Sequence, residues 1–295
     1  MKINKIIAYA GAMLIATACS NDQTSNDWGN VALEVNATIN AEATTRLGTT
    51  ATAFAQGDKI TVFASEGGTV TGYTYTAAGD GTFSSTNGYL FNTEEKVKFF
   101  AYYPTSDSDE ITLDLTQQGD DLDLLLADEV TAQIALPTVN FVFDHVLSKL
   151  TFVLNDGGGF SSFKDATVTL KGFEFTLATY YLKKELLDSE EDSSPRTIEA
   201  ILTTEESSDD EGTVTSTSTA EAIIFPETDK QDFTLTISLN GIDYTKELSI
   251  TPKPGINYRY EVTVTKQGLY IASPTITAWN DVTSSGELSL KIPNN

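Results

Sequence analysis

The sequence predicts an all-β chain made of two antiparallel sandwich domains. In one segment after another, apolar residues recur at every second position, the period of a strand with one buried face. Turn-forming pairs such as Gly67-Gly68, Asn87-Gly88 and Asn240-Gly241 punctuate those runs at strand spacing. The 12 tyrosines and 15 phenylalanines, with abundant Thr and Val, are side chains that suit a pleated surface. At 295 residues the length fits two ordinary domains better than one.

The first expected strand runs from Val31 to Ile39. Val31, Leu33, Val35, Ala37 and Ile39 alternate with small or polar residues, so one face is buried. The following stretch, Ala41 to Gly48, is small and polar and reads as exposed chain. Ile60, Val62 and Ala64, then Tyr73 and Tyr75, then Val97, Phe99, Ala101 and Tyr103 mark the next strands. Further strands are expected at Ile111–Leu115, Leu122–Leu126 and Val139–Phe143.

A second block opens near His145 with Leu147, Leu150, Phe152 and Leu154. Leu177–Asp192 fits either a short helix or a strand running into an acidic loop, and Glu205–Gly212 reads as a solvated loop. Phe233, Leu235, Ile237 and Leu239, then Asn240-Gly241, then Ile242 and Tyr244 form the clearest hairpin. Tyr258, Tyr260, Val262 and Val264 alternate again. Ile276, Trp279 and a tail strand of Leu288, Leu290 and Ile292 finish the chain. The two sandwiches are expected to meet near residue 145.

Charge and inventory exclude several functions. Lys+Arg 18 against Asp+Glu 42 gives a net charge of −24, a field that repels phosphate backbones and argues against nucleic acid as a partner. His145 is the only histidine and Cys19 the only cysteine, so no zinc cluster is expected. Any Ser-His-Asp triad must run through His145, whose apolar neighbours point instead to a partly buried histidine with a backbone partner. Asp107-Ser108-Asp109-Glu110 and Asp120-Asp121-Leu122-Asp123 lack the calcium-loop pattern and read as solvated loops. Phe99, Phe100, Tyr102 and Tyr103 fit a carbohydrate platform, but at period two their default is core packing. No enzyme and no cofactor is expected.

The N-terminus resembles a bacterial lipoprotein signal. Lys2 and Lys5 precede an apolar run from Ile6 to Ala16, too short to span a bilayer, and small residues lead into Cys19. In that reading 1–18 is a signal peptide and Cys19 is lipidated. Ala16 stands where such signals carry a large aliphatic residue, and Ala16-Thr17-Ala18 also fits a site for ordinary secretion. No second stretch is long enough for a membrane helix, so the membrane is reached by the lipid anchor only.

Several segments, taken in order, resemble the fimbrillin family, the Mfa-like subunits of type V pili. They are Gly57–Phe63, Val97–Pro104, Asp123–Ala127, Phe143–Leu150 with its F-x-H-x-x-x-K-L pattern, and Pro254–Val262 followed by Ile276–Trp279. The resemblance implies two transthyretin-like β-sandwich domains in tandem, 47–144 and 145–295. It further implies a structural or adhesive subunit of a fimbria on the outer membrane and cell surface of a Gram-negative bacterium. The alternative is a surface lipoprotein that binds glycans or host proteins and does not polymerise, with Trp279 the only tryptophan beyond the leader.

The same resemblance implies cleavage by an arginine-specific protease between Arg46 and Leu47, removing the leader 19–46 with its strand. Losing Val31, Leu33, Val35 and Ile39 uncovers an edge and a groove, at roughly 1.5–3 kcal/mol per large side chain. An exposed edge is a template for strand addition by another pilus subunit. The tail Leu288, Leu290, Ile292, within 286–292, alternates suitably to be the donor.

Overall fold

The computed structural model describes residues 31–40, 53–106, 110–119, 122–182, 186–190, 196–208 and 214–279. Its strands through the first half of the chain are β1 (Glu34–Ile39), β2 (Lys59–Glu66), β3 (Thr69–Ala77), β4 (Thr82–Ser84), β5 (Val97–Tyr103), β6 (Glu110–Asp114), β7 (Leu125–Ala132) and β8 (Thr138–His145). After them come β9 (Ser148–Asp156), β10 (Thr167–Lys171), β11 (Leu177–Tyr181), β12 (Leu186–Glu190), β13 (Thr197–Glu199) and β14 (Ile201–Ser208). The last are β15 (Val214–Ile224), β16 (Gln231–Leu239), β17 (Ile242–Ile250), β18 (Ile256–Thr265), β19 (Gly268–Ile271) and β20 (Thr275–Ala278).

The fold is all-β. One sheet closes on itself in the order β1-β4-β3-β2-β5-β7-β8. Its alternating inward residues, including Val35, Ile60, Val62, Phe99, Ala101, Phe141 and Phe143, form one hydrophobic core. Closure removes the open edges that strand pairing would otherwise leave exposed. The other strands form sheets ordered β13-β10-β16-β17, β12-β11-β6 and β14-β15-β9-β18-β19, with β20 also pairing β18. They surround a second core that includes Leu150, Phe152, Leu235, Ile237, Tyr260 and Val262.

The two cores share a wall. Ile60, Val62 and Ala64 of β2 face the closed sheet's interior, whereas Phe63 belongs to the second core beside Tyr102, their ring centroids 5.5 Å apart. β6 departs from the closed sheet and pairs with β11, so a strand from the first half of the chain sits against one from the second. β8 ends at His145 and β9 begins at Ser148, leaving only Val146 and Leu147 between the closed sheet and the next.

Two pairings are parallel, unlike the antiparallel arrangement expected for neighbouring hairpin strands: β1 with β8 and β9 with β18. In each pair the partners are far apart in sequence, so no tight turn imposes the antiparallel direction. The Asn240-Gly241 hairpin is as expected, with φ of 53° and 77° in a two-residue turn joining β16 to β17.

One open alternative is resolved in favour of strand, and two local expectations are corrected. Leu177–Asp192 contains the hairpin strands β11 and β12, because Leu177, Ala178 and Tyr180 gain partners on both sides. Glu205–Ser208 is not loop but the end of the edge strand β14, paired antiparallel with Thr217–Val214 of β15, whose ladder holds this polar stretch in strand; residues 209–212 of that expected loop lie outside the described residues. Leu122–Leu124 precedes β7 and is not strand, its leucines filling the second core instead.

Candidate functional site at the first strand

β1 lies between two strands that are remote in sequence. On one side it pairs parallel with β8 from Glu34↔Thr138 to Ile39↔Phe143. On the other it pairs antiparallel with β4 at only Val35↔Phe83 and Asn36↔Thr82. Period two sends Leu33, Val35, Ala37 and Ile39 inward, all buried, while Glu34 and Thr38 face outward and are exposed. Val31 is half-buried before the strand starts, and its carbonyl accepts from the Phe91 N–H at 2.9 Å. The interior behind the strand is aromatic: Phe54 meets Phe83, Tyr103 and Phe143 edge-on at 5.3, 5.8 and 5.1 Å.

The outward side chains fix the register against β8. Thr138 Oγ1 donates to Glu34 Oε2 at 2.7 Å, Asn36 Nδ2 to Asn140 Oδ1 at 2.9 Å and Asn40 Nδ2 to Asp144 Oδ1 at 2.8 Å. A slip of one residue would lose all three and turn the apolar row outward. Burial holds the Asp144 carboxyl above its usual range, while the Asn40 amide pulls the other way. Beside the short β4 pairing, a groove of about 760 Å³ opens between Ala32–Asn36 and the Thr82–Leu90 segment.

Among the sequence-predicted site residues, Leu33, Val35 and Ile39 therefore share one buried row with Ala37, and Val31 borders it. Cys19, Arg46, Leu47, Leu288, Leu290 and Ile292 lie outside the described residues.

A second arrangement sits where β8 passes into β9. His145 is 1% exposed, more deeply buried than expected, and one of its partners is a side chain: Nδ1 lies 2.7 Å from Oδ1 of Asp123. Asp123 is itself fully buried, correcting its reading as solvated loop. The reason is the apolar flank Leu122-Leu124-Leu125, which carries the carboxylate inward to the imidazole. Trp279 stacks on His145, donates its backbone N–H to the Gly255 carbonyl at 2.6 Å and is fully buried, so it presents no platform for a sugar. Covered in this way, His145 is a core residue packed between Asp123 and Trp279.

Lys149 of β9 is 1% exposed, with Nζ 3.3 Å from Oε1 of Glu221 and 5.1 Å from the centre of the Trp279 ring. Sequence reasoning gave no buried polar role to Asp123, Lys149, Glu221 or Asn257. A lysine inside the apolar run Leu147–Leu154 was the available signal, since a lone charge is buried only with partners. Phe99, Tyr102 and Tyr103 are buried as core residues.

A family model described as fimbrillin-like matches residues 45–279. Among solved structures the chain is similar to a proposed cell adhesion protein from Bacteroides uniformis ATCC 8492, at 22% identity over 88% of this chain and 100% of that one, with a TM-score of 0.64. It is also similar to a proposed cell adhesion protein from Bacteroides ovatus ATCC 8483, at 18% identity over 84% of this chain and 97% of that one, with a TM-score of 0.65. At such identities the likeness is one of fold. No curated protein matches the chain.

Proposed function

Because the chain belongs to the fimbrillin-like family, we propose that it is a cell-surface fimbrial subunit assembled by exchange of its first strand. The role is structural or adhesive, not catalytic. In this reading the precursor is exported as a lipoprotein through Cys19, and its two tandem transthyretin-like domains divide near His145. An arginine-specific protease then cuts between Arg46 and Leu47, and another subunit's Leu288, Leu290 and Ile292 enter the place left by β1.

The observation that carries this reading is the attachment of β1. Its hydrogen-bonded partner Asn140 is 104 residues from Asn36, and its other neighbour, β4, also belongs to a distant hairpin. No tight turn ties β1 to either flank, so a single cut beyond Ile39 would leave it held by noncovalent contacts alone. Those contacts rest on Leu33, Val35 and Ile39, at roughly 1.5–3 kcal/mol gross each. An incoming strand with the same apolar row would restore them and supply the missing backbone partners. The family match begins at residue 45 and so leaves β1 outside it.

The test is to incubate the full-length protein with an arginine-specific protease while following its N-terminus and its size. A new N-terminus at Leu47 followed by polymers supports strand exchange. A trimmed protein that keeps residues 31–39 bound and stays monomeric overturns it.

A further inference from the structure

We propose that Lys149 and Asn257 are joined by an intramolecular amide bond between their side chains, formed with Glu221 as the proton carrier. β9 and β18 are adjacent parallel strands whose register sets Lys149 directly beside Asn257. Register partners in a parallel pair project to the same face. On β9 that face is the one opposite Leu150, Phe152 and Leu154, which point into the core. β15, on the other side of β9, brings Glu221 opposite Thr151. A buried amine, a carboxamide and a carboxyl thus lie on three neighbouring strands, with Thr151 in contact with both the carboxyl and the carboxamide.

The local geometry suits acyl transfer to an amine. Lys149 Nζ lies 3.3 Å from Glu221 Oε1, and Thr151 Oγ1 lies 3.3 Å from the same oxygen. Thr151 Oγ1 also donates to Asn257 Oδ1 at 2.9 Å, which polarises the carbonyl and holds the oxygen on which negative charge would develop. Lys149 and Asn257 are 1% and 5% exposed, and the Trp279 ring covers the amine. Only the neutral amine is nucleophilic. Burial holds the Lys149 ammonium below the usual lysine range, with the Glu221 carboxylate opposing that effect.

The step balances without an oxidant or a second reactant. The ammonium of Lys149 passes a proton to Glu221, and the freed lone pair of Nζ attacks Cγ of Asn257. The carbonyl π pair moves onto Oδ1 against the Thr151 hydroxyl. Glu221 delivers a proton to Nδ2 and takes one from Nζ as the Cγ–Nδ2 bond breaks. Ammonia departs and takes up the remaining proton as ammonium, leaving a secondary amide and an ionised Glu221. The bond would tie β9 to β18, the strand that pairs with both β19 and β20. It stands independently of strand exchange at β1.

Intact-mass measurement of the purified full chain, read against its own N-terminal sequence, tests the bond. The folded wild type is expected to fall short of its sequence mass by about 17 Da, one ammonia. A tryptic digest should then yield one branched peptide containing both Lys149 and Asn257. N257A and E221Q should show the full sequence mass while remaining folded by circular dichroism. N257D should converge on the wild-type mass by losing water instead. A folded wild type at full sequence mass overturns the proposal, and so does a deficit that persists in N257A.

Discussion

The imidazole of His145 stacks on the indole of Trp279, with ring centroids 3.9 Å apart and 10° between the planes. His145 ends β8 of the closed sheet and Trp279, in the second core, follows β20, so the stack links the end of the closed sheet to the second core. Trp279→Ala is expected to destabilise the protein by about 3–5 kcal/mol, a large aromatic lost from a filled core. Urea unfolding measures the loss, and a cost below about 1 kcal/mol would contradict a joint of this kind.

Asp123 and His145 should be energetically coupled. Each is buried and they meet at 2.7 Å, so removing one takes a buried polar contact from the other. A double-mutant cycle with Asp123→Asn and His145→Phe should give a coupling of about 1–3 kcal/mol. Additive effects of the two changes would show that the contact is incidental.

The two faces of β1 should respond differently to truncation. Leu33 points into the closed sheet and Thr38 to solvent. Leu33→Ala is expected to cost about 2–5 kcal/mol, whereas Thr38→Ala should stay within about 0.5 kcal/mol. Equal shifts in the denaturation midpoint would mean that the register of β1 differs from the one described.

Asn40→Ala removes the amide that holds Asp144 at 2.8 Å. Burial already lifts the Asp144 carboxyl, and losing the hydrogen bond lifts it further. The cost should be about 1 kcal/mol at neutral pH, where the group is ionised, and should shrink as acid protonates it. A cost that grows on acidification would reverse this sign.

Glu227 makes stability fall as pH rises. Burial, then repulsion from Glu174 and Asp229, lifts its carboxyl from an ordinary 4.5 to about 7. The folded state keeps a proton that the unfolded chain releases, so the contribution is complete below about 4.5 and lost as pH passes about 7. Glu227→Gln stays neutral throughout. It should match wild type in mild acid and exceed it near pH 8 by on the order of 1 kcal/mol, after discounting solvent screening of a partly exposed group. Melting curves across that range check it.

Much of the architecture could be read from local pattern. The period-two rows of β1, β2, β5, β16 and β18 and the Asn240-Gly241 turn each depend on a few consecutive residues. Local pattern misled where partners came from elsewhere: the polar end of β14 is strand because β15 runs beside it, and Asp123 is buried because three leucines carry it inward.

By itself the sequence determined an all-β chain, the inward row of β1 and its place in the fimbrillin-like family, since alternation and ordered motifs are properties of the chain read in line. Only the tertiary structure decided that β1 runs parallel to β8, that Trp279 is buried on His145, and that Lys149 meets Glu221 beside Asn257. The reason is distance along the chain: Asn257 lies 106 residues beyond its hydrogen-bonded partner Thr151, and no local periodicity encodes which remote strands will be neighbours.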